Sequence, residues 1–149
     1  MQEYVAGFLF DDDQVVLVKK NRPPWQAGKY NGVGGKVEPG EAPYDAMVRE
    51  FEEEAGVRVE SWKHFITLKG TQSTIYCYTA FDADAVYNSR TMEEEPIHAI
   101  ETWSINGMVT VPNVQWLVPL ARQAGQYKPI TVEFCDRTTG TSEAPDAEK

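Results

Sequence analysis

GKVEPGEAPYDAMVREFEEEAGV, residues 35–57, carries the strongest pattern in the chain. Pro39 and Gly40 make a turn. Beyond them Ala46, Met47, Phe51 and, on the flank, Ala55 recur at helical spacing until Gly56 supplies a stop, which predicts a helix over residues 42–55. Glu50, Glu53 and Glu54 stand three and four residues apart on that helix, so their carboxylates leave one face within about a third of its circumference. Such close like charges repel unless a cation lies among them. Hard divalent ions such as Mg2+ or Mn2+ take oxygen ligands and usually share their shell with water and substrate phosphates. Arg49, four residues before Glu53, is near enough to pair with it or with Glu41 at the helix entrance and so hold the carboxylates in place. Taken alone, the run of Glu52, Glu53 and Glu54 reads as a solvated helix face.

Working outward, residues 3–10 are rich in Tyr, Val and Phe, Asp11 to Asp13 signal a turn, and residues 14–19 form a second strand, together a hairpin. NRPPWQAGKYNGVGG, residues 21–35, is too rich in proline and glycine for regular helix and reads as a loop leading into a short strand, suited to a pocket wall. Residues 62–68 and 73–81 read as paired strands, the second alternating Ile75, Cys77 and Thr79. Acidic, irregular residues 82–96 read as a surface loop. A strand over residues 97–105, a helix over 113–124 with Asn113 as N-cap and Pro119 inside it, and a strand over 130–134 complete the expectation. Residues 1–135 then form a single domain, and the polar, aperiodic residues 136–149 a disordered tail.

A length of 149 residues, 42% of them hydrophobic, suits one core. The net charge of −9 argues against a nucleic acid polymer as partner, since such binding draws on clustered Lys and Arg. Much of the acidic excess lies in residues 50–54 and 93–95, where a bound cation would neutralise part of it. No apolar run approaches the roughly 20 residues that span a bilayer, and MQEYVAGFLF lacks a secretory pattern, so no membrane partner and a cytoplasmic location are expected. Cys77 and Cys135 stand in no metal-binding spacing and read as reduced, partly buried thiols.

Gly35, Glu41, Arg49, Glu50, Phe51, Glu53, Glu54, Gly56 and Val57 match, with no spacing adjusted, the Nudix pattern of Gly, five residues, Glu, seven residues, Arg-Glu, apolar, any, Glu-Glu, any, Gly, apolar. The chain therefore resembles the Nudix hydrolases. The resemblance implies an α/β (α+β) fold with a mixed β-sheet sandwiched between helices, and hydrolysis of a nucleoside diphosphate linkage with Mg2+, Mn2+ being a possible substitute. It implies that Glu53 and Glu54 bind metal, that the Gly35 carbonyl is a further ligand, and that Glu50 binds metal or deprotonates the attacking water. Arg49 and Glu41 match the pair that orients these carboxylates. Some relatives recruit another carboxylate from a loop outside this box. The run Glu93, Glu94, Glu95 is the place for it, Glu94 at its centre, with a solvated loop the ordinary alternative.

Upstream, KYNGVGGKVEPGE resembles the subgroup acting on nucleoside triphosphates, including oxidised purine nucleotides, where Trp-Asn-Gly is common at the site of Tyr30-Asn31-Gly32. The resemblance implies a small nucleotide substrate, with release of nucleoside monophosphate and pyrophosphate. Asn31 either reads a purine edge or serves as a turn residue, and Tyr30 or Trp25 can pack near the base. For Trp25 and Trp103, packing in the core or a pocket wall is the default. The C-terminal helix looks like that of the oxidised-purine sanitisers, with Trp116 and Leu120 as packing positions. Pro112 and Asn113 stand where mammalian-type members carry an acidic pair; Asn113 reads a base or, more simply, caps the helix. Lys19, Lys20, Arg22 and Lys36 are the nearest cations for a triphosphate. Hydrolysis of ADP-ribose, a nucleotide sugar or a dinucleoside polyphosphate is the alternative, and a non-catalytic nucleotide sensor the alternative of another class. Monomer and homodimer both remain open.

Overall fold

Alternation along the first strand sorts the core into two halves. In β1 (Gln2–Phe10), Val5 and Leu9 join one buried cluster while Phe8 and Phe10 join another, as a two-residue period requires. The structure, a computed structural model, describes residues 1–134; the tail expected at 136–149, and Cys135, lie outside the described residues. The Asp11 carboxylate accepts the N–H groups of Asp13 and Gln14 and turns the chain into β2 (Gln14–Lys19). After a short 3-10 turn at Pro24–Gln26 come β3 (Tyr30–Asn31), β4 (Val33–Lys36) and helix α1 (Pro43–Ala55). β5 (Lys63–Lys69), β6 (Ser73–Phe81), α2 (Ala83–Asn88), β7 (Ile97–Glu101), a 3-10 segment at Thr102–Gly107, α3 (Val114–Arg122), a 3-10 turn at Ala124–Gln126 and β8 (Ile130–Glu133) complete the described residues.

The eight strands form one mixed sheet in the order β3-β2-β1-β6-β5-β8, with β4 also on β1 and β7 also on β2. β1–β6 and β5–β8 are parallel, and the remaining strand pairs are antiparallel. α1 covers one face through Ala46, Met47, Phe51 and Ala55, all fully buried. Phe51 meets the Trp62 ring edge-on at 5.3 Å, and burying a side chain of that size contributes about 2 kcal/mol or more. α3 covers the opposite face through Val114, Leu117, Val118 and Ala121. The sheet thus lies between helices, as expected. None of the helices among the described residues is long and apolar enough to cross a membrane.

Four expectations are corrected. Residues 82–96 are not all loop: Asp82 caps α2 by accepting the Ala85 N–H at 3.0 Å, and Ala85 and Val86 bury themselves in the α1-side cluster. The strand expected over 97–105 stops at Glu101 and coils into a 3-10 segment that leaves Trp103 76% exposed, so Trp103 is not a core residue. Asn113 sits at the N-cap position of α3 without making a cap bond, because its side-chain oxygen accepts instead from the Trp116 indole N–H at 3.2 Å. Trp116 is exposed at 40%, whereas Leu120 does pack against the α3-side cluster.

Candidate active site

α1 begins with Pro43 at its first turn and ends at Gly56, which takes the left-handed conformation (φ 79°) and donates its N–H to the Glu52 carbonyl. Because Met47, Phe51 and Ala55 point into the sheet, Arg49, Glu50, Glu53 and Glu54 fall along the helix margin that faces the end of β4. Arg49 is the hub. Its Nε and Nη2 donate to the two oxygens of Glu41 at 2.9 and 3.0 Å, a two-pronged pairing that fixes the guanidinium plane. Nη1 donates to Glu50 at 3.0 Å and to Glu53 at 3.4 Å, and Nη2 also reaches the Lys36 carbonyl at 3.1 Å.

Burial sorts the carboxylates. The Glu50 side chain is 14% exposed and Glu53 50% exposed. Burial pushes the Glu50 carboxyl up, against the opposing pull of Arg49. Burial together with the charge of Glu50 pushes Glu54 up to about 8. Glu41 is held below the ordinary carboxylate range, chiefly by its hydrogen bond from Arg49. Gly35, on β4, lies directly against this group: a Cβ there would come within 2.6 Å of the Glu50 carboxylate oxygens. Arg49 and Glu53 also line a cleft of about 410 Å3 that runs along α1 toward Tyr44 and Arg58.

Among the described residues no three acidic, histidine or cysteine side chains already converge on one point, and Glu50 and Glu53 both turn toward Arg49. The donor chemistry nevertheless fits a hard divalent cation. Every candidate ligand is an oxygen, the spacing is that of one helix margin, and the burial and the Glu50 charge that raise Glu54 are both offset by a bound cation.

The expected residues outside α1 go to several places. Glu94 pairs with Arg22 at 3.0 Å in an exposed contact, while Glu93 is the member of its run whose charge acts on Glu54. Lys36 is exposed, and it is its backbone that engages Arg49. Asn31 spends its side-chain oxygen on the Gly32 N–H at 2.8 Å and its amide on Gln26, the behaviour of a turn residue. Tyr30 packs on the α3 side, meets His98 edge-on at 6.0 Å, and bonds through its backbone to Val109 and Val111, so it is brought beside the segment that leads to Asn113. The Trp25 indole N–H is buried with no hydrogen-bond partner. The run Glu93 to Glu95 was singled out in the sequence but its partners were not: Glu93 acts on Glu54, and Glu95 pairs with Lys20. Only the register between β2 and β7 reveals the second, and nothing local in the sequence fixes that register.

A family model described as NUDIX domain matches residues 2–123. Over 57 residues, 38% of this chain, the sequence is 40% identical to a CTP pyrophosphohydrolase of Escherichia coli K12. The matched stretch covers 42% of that relative, so the chain spans less than half the length of the curated protein it matches. Among solved structures, MutT of Aliivibrio salmonicida and Vibrio cholerae is similar with a TM-score of 0.66 at 25% identity, over 85% of this chain and 98% of that one. A NUDIX hydrolase from Nitrosomonas europaea shares the fold with a TM-score of 0.71 at 17% identity, over 90% and 78% of the two chains.

Proposed function

The chain belongs to the NUDIX family, and from that premise we propose that it hydrolyses a phosphoric anhydride of a nucleotide with a divalent metal, splitting a nucleoside triphosphate into nucleoside monophosphate and pyrophosphate. One observation carries the reading: Arg49 gathers Glu41, Glu50 and Glu53 on the helix margin where Glu50 and Glu54 are pressed together and Gly35 leaves room for the Glu50 carboxylate. In this reading Glu53, Glu54 and Glu50 with the Gly35 backbone hold Mg2+, with Mn2+ as substitute. When bound, the ion neutralises phosphate charge and lowers the pKa of water.

The chain's own groups supply the rest. Arg49, itself fixed by Glu41, sets the orientation of Glu50 and Glu53. In this reading Glu50, whose buried carboxyl has a raised proton affinity, serves as a metal ligand or as the group that accepts a proton from the attacking water. On the same reading Trp25, Tyr30 and Asn31, with Lys36 at the end of β4 and Asn113 before α3, are the groups expected to meet base and phosphates; Asn31 and Asn113 must release their local bonds to take part. The substrate in this reading is a small nucleotide.

Incubation of the purified chain with Mg2+ and a panel of nucleoside triphosphates, ADP-ribose, nucleotide sugars and dinucleoside polyphosphates tests the proposal by product identity. Pyrophosphate and monophosphate from a triphosphate are expected, with activity falling by about two orders of magnitude in Glu53→Gln. Cleavage confined to ADP-ribose or another diphosphate ester would replace the substrate reading. Unchanged activity in Glu53→Gln would remove the metal assignment, and an inert but nucleotide-binding protein would point to a sensor.

A further inference from the structure

A further acidic residue, Glu95, ties the 20–29 segment to the connection bonded to the last turn of α1, and this inference rests on the hydrolytic reading above. β2 and β7 run antiparallel with Val18 opposite Ile97, and the Lys19 N–H donates to the Pro96 carbonyl at 2.9 Å. Carried one step further, that register sets Lys20 opposite Glu95. Lys20 Nζ donates to Glu95 Oε1 at 2.9 Å, with the two side chains only 22% and 15% exposed. Oε2 of the same carboxylate accepts the N–H groups of Asn21 at 2.7 Å and Arg22 at 3.3 Å. One side chain thus satisfies three donors at the root of the 20–29 segment, which carries Trp25 and returns to the sheet at Tyr30. Burial alone would raise the Glu95 carboxyl, but bonds from Asn21, Lys20 and Arg22 outweigh it and hold it below its usual range.

Both ends of this connection reach the site. The charge of Lys20 acts favourably on the Glu54 carboxylate and that of Glu93 against it. Five and three residues before Glu95, Arg90 and Met92 donate their N–H groups to the carbonyls of Ala55 and Glu54, at 3.0 and 3.2 Å. The 90–96 connection therefore links the last turn of α1 to the loop that follows β2. The outlying Arg22–Glu94 pair, with side chains 72% and 75% exposed, adds little to this link.

We propose that Glu95 is a positioning residue: it ties Lys20 and the root of the 20–29 segment to the connection that is itself bonded to the last turn of α1, so that an incoming polyphosphate meets a cation already in place. The bland alternative is an ion pair that serves stability alone. Glu95→Ala, Lys20→Ala and the double variant separate the two. Amide hydrogen exchange read by mass spectrometry needs no turnover, and Glu95→Ala is expected to speed exchange across residues 20–29 by about tenfold while leaving β1 and β6 as they were. On the nucleotide that the wild-type chain cleaves, each single variant is expected to raise KM about tenfold with kcat within about threefold. The double variant is expected to be clearly less impaired than the product of the two singles, because they share the Lys20–Glu95 contact. Unchanged exchange over 20–29, unchanged KM with a lowered melting temperature, or additive KM effects would each overturn the proposal while leaving the hydrolysis itself standing. A wild-type chain inert to every nucleotide defeats the hydrolytic reading, and this one with it.

Discussion

Arg49 makes five hydrogen bonds, to Glu41, Glu50, Glu53 and the Lys36 carbonyl, and no other side chain could replace its planar fork. Its neighbour across the gap is a glycine for a reason of space. Gly35 is not in the left-handed region, so alanine there is acceptable to the backbone; the three atoms nearest the added Cβ all belong to the end of the flexible Glu50 side chain. Gly35→Ala should therefore fold with a melting temperature close to that of the wild type and lose activity by about a hundredfold, since displacing a reacting group by about 1 Å costs that much. Thermal melting and kcat measured together check this; an active Gly35→Ala chain would show that Glu50 does not need its present place. The α1 carboxylates, Arg49 and Glu41 were legible in the sequence because one helix margin and one turn contain them all. Asn31 and Asn113 were not, because a side-chain amide satisfied by its own neighbours looks the same in sequence as one aimed at a ligand.

At the scale of elements, α1 was legible because its apolar stripe persists over three turns and Gly56 closes it, whereas α2 was hidden in an acidic stretch. Six residues are too few for a period to show, and the cue was Asp82 as cap ahead of the buried pair Ala85 and Val86. Asp82→Ala should lower unfolding stability by about 1 kcal/mol with an unchanged denaturant slope. An unaltered denaturation midpoint would mean that tertiary contacts alone hold α2. The last strand before α3 was read too long for the opposite reason: Trp103 and Ile105 extend an alternating apolar pattern, yet the chain coils there and puts Trp103 into solvent while Ile105 stays buried. The contact between Lys20 and Glu95 spans 75 residues and exists only once β7 has paired with β2, so no local pattern announces it.

For the whole molecule, a net charge of −9 means that any cation is drawn weakly to the surface, so metal uptake alone is not evidence of a site. What distinguishes a site is its dependence on one carboxylate among the 23 acidic residues. The sheet and its two covering helices exist to hold the margin of α1 against β4, and that margin has one proposed task. Electron paramagnetic resonance of free Mn2+, titrated against the wild-type chain and Glu54→Gln, measures it most directly. Saturable binding by the wild type, weakened on the order of tenfold or more in Glu54→Gln, is the expected result. Equal binding by the two proteins, or no saturable uptake by either, would contradict the account.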